Sequence, residues 1–225
     1  MSESLHTVAL IPAYDAVSTL APVIEEARSS LPVVVVDDGS VDGTGELAAR
    51  LGATVLRHPQ NRGKGAALKT GFAWAMENGL EGVVTLDADG QHLASEIPRF
   101  LEARRETGAD LIIGSRRHLF GGMLPRRRLA NTFSAWGITW ASGVQVDDSQ
   151  SGFRFYSTRL MREVALRSTG FDLESEVIVA AARRGLKIMT IPIDLGFVDG
   201  LSTSHYRPLA DSIRIAWTVF KTRFL

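Results

Sequence analysis

Val33-Val34-Val35-Val36, running into Asp37-Asp38-Gly39-Ser40, restricts the fold more than any other stretch of the chain. Successive side chains of a strand point to opposite faces, so a strand that is apolar at every position is covered on both sides. Parallel sheets flanked by helices have that property, and the first 115 residues repeat the theme. Short apolar runs at Thr7–Pro12, Ala53–Arg57, Val83–Leu86 and Leu111–Gly114 alternate with stretches of helical period at Ser18–Ser30, Gly43–Leu51, Lys64–Asn78 and Ser95–Thr107. This order predicts an α/β domain built on a mostly parallel central sheet.

Beyond residue 115 the pattern loosens. A Gly- and Arg-rich stretch, His118–Arg128, leads into a predicted helix at Leu129–Ala141, and Phe153–Tyr156 and Ile188–Ile193 read as added strands with a helix at Leu173–Arg184 between them. No linker or repeat divides the chain, so residues 1–208 are expected to form one domain, with 209–225 an amphipathic helix. That helix carries Leu209, Ile213, Trp217, Phe220 and Phe224 at helical spacing with Arg214, Lys221 and Arg223 on the turn. It either packs on its own domain or lies in the plane of a membrane surface, where Arg126-Arg127-Arg128 would serve the same contact.

Lys and Arg together number 25, as do Asp and Glu, so no global field draws the chain to nucleic acid. The absence of cysteine excludes disulfides, thiolate metal sites and a cysteine nucleophile. With no secretory pattern at Met1–Thr7 and no run approaching the roughly 20 apolar residues of a spanning helix, the expected location is cytoplasmic, with peripheral membrane contact allowed.

In open α/β sheets ligands bind outside the carboxyl ends of the strands. Two of those ends carry paired acids. Asp87-Ala88-Asp89-Gly90-Gln91 follows Val83–Leu86, and two carboxylates one residue apart suit a hard cation such as Mg²⁺ or Mn²⁺. A simple turn is the bland alternative. An EF-hand loop fails because Pro98 stands where its bidentate carboxylate is required. An aspartyl phosphatase lacks a further acidic cluster downstream. At the other end, Asp38 is the residue placed to accept hydrogen bonds from a nucleotide, while Ser40, Asp42 and Thr44 read as turn and cap residues.

Asn61-Arg62-Gly63-Lys64-Gly65 lacks P-loop spacing, but its glycines let the backbone approach another segment closely, and Lys64 either neutralises a phosphate or is solvated. Asp148 precedes Ser149-Gln150-Ser151-Gly152-Phe153-Arg154. It is a candidate base for an acceptor hydroxyl, or else an ion-pair partner of Arg154. His205 and Arg207, in a polar segment, are candidate metal or pyrophosphate ligands.

Taken in order, Ile11-Pro12-Ala13-Tyr14, Asp37-Asp38-Gly39-Ser40, Asn61-Arg62-Gly63-Lys64-Gly65, Asp87-Ala88-Asp89-Gly90-Gln91-His92, Gly114-Ser115-Arg116 and Ser151-Gly152-Phe153-Arg154 resemble family 2 glycosyltransferases of the GT-A fold, in the branch similar to dolichyl-phosphate mannosyltransferase. The resemblance covers nearly the whole chain. It implies an inverting enzyme taking a sugar from a nucleotide diphosphate donor, GDP-mannose or a UDP-hexose, with a polyprenyl or dolichyl phosphate as acceptor. It further implies donor binding by Pro12, Tyr14, Val36, Asp38, Ala88 and Arg116, metal or diphosphate contact by Asp87, Asp89 and Gln91, and an acceptor side lined by Phe153 and Arg154. The tail departs from that branch: Gly200 is followed by Leu201-Ser202-Thr203-Ser204-His205-Tyr206-Arg207, which leaves the donor sugar open. Two other classes compete: a nucleotide-sugar-binding subunit that needs a membrane partner, and a sugar-1-phosphate nucleotidyltransferase, which would want a Gly-rich, Arg-containing loop after the first strand.

Overall fold

The structure is a computed structural model and describes residues 6–116, 135–196 and 208–224. Seven strands form one sheet: β1 (Thr7–Ala13), β2 (Val33–Asp37), β3 (Thr54–Arg57), β4 (Gly82–Thr85), β5 (Leu111–Ser115), β6 (Arg154–Ser157) and β7 (Ile188–Pro192), in the order β3-β2-β1-β4-β6-β5-β7. All neighbours are parallel except β6, which enters antiparallel between β4 and β5.

The helices are α1 (Leu20–Arg28), α2 (Thr44–Arg50), α3 (Lys64–Glu77), α4 (Ile97–Thr107), α5 (135–142), α6 (Thr158–Glu163), α7 (Leu173–Arg183) and α8 (Pro208–Phe224). The valine run divides as its pleat requires. Val33 and Val35 join a core with α1, α2 and α4 on one face, while Val34 and Val36 join a second core with α3, α6 and α7 on the other. Each buried valine contributes about 2 kcal/mol of apolar transfer free energy, so a register slip in β2 is strongly disfavoured.

Differences from the sequence reading have local causes. α6 was not foreseen; the Ser157 hydroxyl accepts the Leu160 N–H at 3.1 Å and starts a helix directly off β6. β6 itself starts at Arg154, one residue later than expected, and ends at Ser157, whose hydroxyl also donates to Asp110 at 2.9 Å. α8 buries Ile215 and rests Val219 against the α3–α6–α7 core. Helices on both faces leave the carboxyl ends of β1, β2 and β4 side by side, and the cleft opens there.

Candidate active site

The cleft measures ≈ 310 Å³ and is lined by Pro12, Tyr14, Asp15, Asp38, Asn61, Gly63, Lys64, Asp87, Ala88, Asp89 and Phe171, among others. Its floor is braced by two loops bonded to each other. The backbone N–H groups of Asp15, Ala16 and Val17 donate to Ser40 Oγ, Thr44 Oγ1 and Asp42 Oδ2 at 3.0, 2.8 and 3.0 Å. Asp15 sits at φ 46, a left-handed conformation unusual for a residue other than glycine, and these bonds hold it there.

Asp87, at the end of β4, accepts an ion pair from Lys64 Nζ at 2.5 Å, and the same ammonium lies 3.0 Å from Glu174 Oε1. Burial alone would raise the Asp87 carboxyl, but Lys64 and then His92 overcome it and hold the group down at about 2. Burial likewise opposes the charge on Lys64, yet Asp87 and Glu174 keep it protonated well above the lysine range. Asp89 moves the other way: burial and then the negative charge of Asp87 raise its carboxyl, although the Gln91 N–H donates to Asp89 Oδ1 at 3.0 Å.

His92 lies beneath this pair. The Asp87 N–H points at its Nδ1 at 3.4 Å, burial pushes the imidazole down to about 4, and its ring lies tilted against Phe153 with centroids 5.3 Å apart. Gly152 is required for space, because a β-carbon there would sit 2.5 Å from Asp87 Oδ2.

The glycines around Lys64 behave as expected, and the segment they approach is Thr169–Gly170. A β-carbon at Gly63 would fall 2.5 Å from the Thr169 carbonyl oxygen, and one at Gly65 would fall 2.7 Å from its carbon. The Ala66 N–H donates to that carbonyl at 3.1 Å. The start of α3 is therefore clamped to the segment leading into α7, which brings Glu174 to Lys64.

Several expected site residues stand elsewhere than the sequence suggested. Asp38 borders the cleft but is 3% exposed, and its oxygens are taken up internally: His58 Nδ1 donates at 2.6 Å, the Arg62 N–H at 3.0 Å and the Gly63 N–H at 2.7 Å. Val36 and Phe153 are fully buried in the two cores and face no cleft.

Asp148 is 2% exposed and forms a bidentate pair with Arg116, Nε to Oδ2 at 2.7 Å and an Nη2 contact to Oδ1 at 3.1 Å. The expected partnership with Arg154 is not made. The Arg154 guanidinium is fully buried and donates to the backbone carbonyls of Ser151, Glu174 and Ser149, each at 2.7 Å. Arg154 therefore ties the 149–151 turn to α7 and reaches neither the cleft nor a carboxylate. His205 and Arg207 lie outside the described residues.

Glu174 and His58 were not anticipated. Each sits in an ordinary-looking polar segment, His58 between Arg57 and Pro59 and Glu174 between Leu173 and Ser175, with no local sign of its partner. Among the described residues no cluster of three or more His, Asp or Glu side chains forms a complete metal site. Asp87 and Asp89 nevertheless fit a hard divalent ion, since two oxygen donors of like charge, one of them raised by the other, are relieved by a cation between them.

A three-layer, mostly parallel sheet with an Asp-x-Asp pair and a lysine at its carboxyl edge is the GT-A glycosyltransferase arrangement. Glucosyl-3-phosphoglycerate synthase from Mycobacterium tuberculosis, solved with Mn²⁺, uridine diphosphate and phosphoglyceric acid, superposes with a TM-score of 0.78 at 19% identity, covering 99% of this chain and 80% of that one. The family model described as "Glycosyl transferase family 2" matches residues 8–170, and the chain belongs to that family of glycosyltransferases. Undecaprenyl-phosphate mannosyltransferase of Micrococcus luteus is 33% identical over 209 residues, 84% of this chain and 83% of the relative. Polyprenol monophosphomannose synthase of Mycolicibacterium smegmatis is 33% identical over 208 residues, 84% of this chain and 76% of the relative.

Proposed function

We propose that this glycosyltransferase takes a hexose from a nucleoside diphosphate donor, GDP-mannose or a UDP-hexose, and passes it with inversion to a polyprenyl or dolichyl phosphate. The observation that carries the reading is the placement of Asp87 and Asp89 in one cleft with Lys64, which is ion-paired to Asp87. Such a set accepts a divalent cation and a diphosphate together. The names of the two bacterial relatives support the lipid-phosphate acceptor.

In this reading Asp87 and Asp89 hold Mg²⁺ or Mn²⁺, with Gln91 and His205 as further candidate ligands. The bound ion would neutralise charge developing on the leaving diphosphate. Lys64 supplies a second positive charge there, kept in place by Glu174. Pro12, Tyr14, Asp38 and Ala88 border the donor, and Asp148 aims Arg116.

An oxygen of the acceptor phosphate attacks the anomeric carbon as the bond to the diphosphate oxygen breaks, and the electron pair departs with the nucleoside diphosphate. A phosphate anion needs no base to do this. A hydroxyl acceptor would need one, and Asp148 suits that role poorly. Burial would weaken it as an acid, but Arg116 outweighs that effect and holds its carboxyl below the usual range, with both oxygens occupied.

The test is thermal shift and calorimetry with GDP-mannose, UDP-glucose and UDP-N-acetylglucosamine, each with and without Mn²⁺, repeated on Asp89→Ala, followed by transfer to polyprenyl phosphate by the purified chain. A metal-dependent response to one donor, lost in the variant, supports the site. No response to any donor sinks it, and donor binding without transfer favours a binding subunit that needs a partner. A lipid acceptor puts the working protein at a membrane. No helix among the described residues is long and apolar enough to cross one.

A further inference from the structure

α8 turns Trp217, Phe220 and Phe224 outward, where Phe224 meets Trp140 of α5 with ring centroids 6.0 Å apart. Between α7 and α8 lies a groove of ≈ 700 Å³ that shares no lining residue with the cleft. Four cations from three segments line it: Arg167 from the loop before α7, Arg183 and Arg184 from the end of α7, and Lys221 from α8. The acid in the lining is Glu176, and both its oxygens accept backbone N–H groups, from Arg167 at 3.0 Å and Ser168 at 2.9 Å. Two further acids nearby are engaged elsewhere. Glu163 pairs with Arg159 at 2.8 Å, and Asp172 accepts Thr218 Oγ1 at 2.9 Å and lies 3.6 Å from Arg214 Nε. Among the described residues the four cations therefore have no carboxylate partner.

Basic residues at the end of a helix ordinarily answer its dipole by lying along its last carbonyls. Arg183 and Arg184 reach to other elements instead. Arg183 Nη1 donates to the Thr222 carbonyl of α8, and Arg184 Nη1 donates to the Glu163 carbonyl at the end of α6 at 2.6 Å. Each guanidinium is thus fixed at one corner, with its other donors left for a ligand of the groove. Lys221 Nζ is placed by a ring, 5.1 Å over Trp217, and not by an anion. In a chain of zero net charge this is a local excess of like charge, held together without a counter-ion from the protein.

We infer that the α7–α8 groove is a second anion site, separate from the donor cleft, that takes a soluble ligand carrying two or more phosphate groups. Guanidinium forks match phosphate oxygens, and cations on three separate segments span more than one phosphate reaches. No aromatic ring lines the groove, so the phosphates and not a stacked base are what it recognises. Its apolar lining is limited to Val164, Ala165 and Ala180, which offers no slot for an acyl chain. Arg167 and Ser168 lead directly into the Thr169–Gly170 segment that clamps Gly63 and Gly65, so binding has a local readout at amides of known bonding. The inference uses no part of the lipid-acceptor reading.

The experiment is calorimetry of the full chain with inorganic pyrophosphate, in EDTA and without divalent metal, with inorganic monophosphate and glycerol 3-phosphate as comparisons. Pyrophosphate is expected to bind roughly tenfold more tightly than either monophosphate, because it meets more of the four cations. Lys221→Gln should weaken it roughly fivefold and Arg183→Gln/Arg184→Gln roughly tenfold or more, while Lys64→Gln, which alters the donor cleft, leaves it unchanged. Hydrogen exchange should slow at the Arg167 and Ser168 amides and not at 61–66, a map that locates the anion even if Lys64→Gln does not fold. Circular dichroism reports the fold of each variant. No pyrophosphate binding, or a folded double arginine variant that binds like wild type, would overturn the inference. Binding lost in a folded Lys64→Gln, with protection at 61–66, would overturn it and place the anion in the donor cleft. Equal affinity for glycerol 3-phosphate would also overturn it, by assigning the groove to a single phosphate such as a lipid headgroup. If pyrophosphate binds as expected and no sugar donor does, the groove stands and the catalytic reading falls.

Discussion

The two strands that flank β1 end in look-alike acid pairs, and the structure uses them in opposite ways. At the end of β2, Asp37 is fully buried, accepts the Ser40 N–H at 2.9 Å and lies 3.3 Å from Arg57 Nε, while Asp38 is spent on His58 and the 62–63 backbone. At the end of β4, Asp87 and Asp89 open into the cleft, and the cation that faces Asp87 there is Lys64. The first pair builds the cleft wall and the second leaves charge available to a ligand. Acids at strand ends thus divide by how many donors the fold itself aims at them, a count that residue type does not reveal.

The sharpest way to break this comparison is to remove one acid from each pair. Asp89→Ala is expected to lower transfer by about 10³-fold, the scale of losing a metal's stabilisation of the leaving group. Its melting temperature should hold or rise, because burial and the Asp87 charge make the ionised Asp89 carboxylate unfavourable in the native state, and alanine removes that charge. A large loss of stability with activity retained would reverse the assignment.

Asp38→Ala should do the opposite in kind, costing about 2–4 kcal/mol in urea unfolding, because three donors around a buried carboxylate lose their acceptor. If it instead abolishes nucleotide binding with stability unchanged, Asp38 belongs with the ligand-facing acids. A smaller effect is expected from Asp148→Asn: a roughly tenfold rise in KM for donor through a misplaced Arg116, with the pH profile of kcat unchanged. A lost basic limb in that profile would restore Asp148 as a base.

The effect confined to the narrowest conditions is in acid stability. Asp87 has a folded value of about 2 against an ordinary 3.8, so its contribution of about 2 kcal/mol is fully present above the ordinary value and is lost as pH falls towards the folded one. Unfolding followed across that window should flatten in Asp87→Asn. An unchanged slope would mean that Lys64 does not hold Asp87 in solution.

How far the site could be read beforehand follows the range of the interactions. The Asp-x-Asp pair, Lys64 and the close approach at Gly63-Gly65 were legible because each is written in a few consecutive residues whose chemistry is local. Glu174 was not, since its meaning depends on Lys64, 110 positions away, and on the Thr169–Gly170 contact that brings α7 to α3. Arg154 was misread for a related reason. Carbonyls from a turn and from α7 converge on it, and backbone acceptors leave no trace in residue type.

By itself the amino-acid sequence determined the layered architecture, because the pleat sends Val33 and Val35 one way and Val34 and Val36 the other and both directions must be dry. It also determined that acids would stand at strand ends, where apolar runs stop. The tertiary structure alone decided that β6 enters antiparallel between β4 and β5, that Asp148 holds Arg116, and that the aromatic face of α8 meets α5 and turns outward. Those outcomes depend on which distant groups compete for each donor, acceptor and apolar surface, and that competition is settled only when the layers pack.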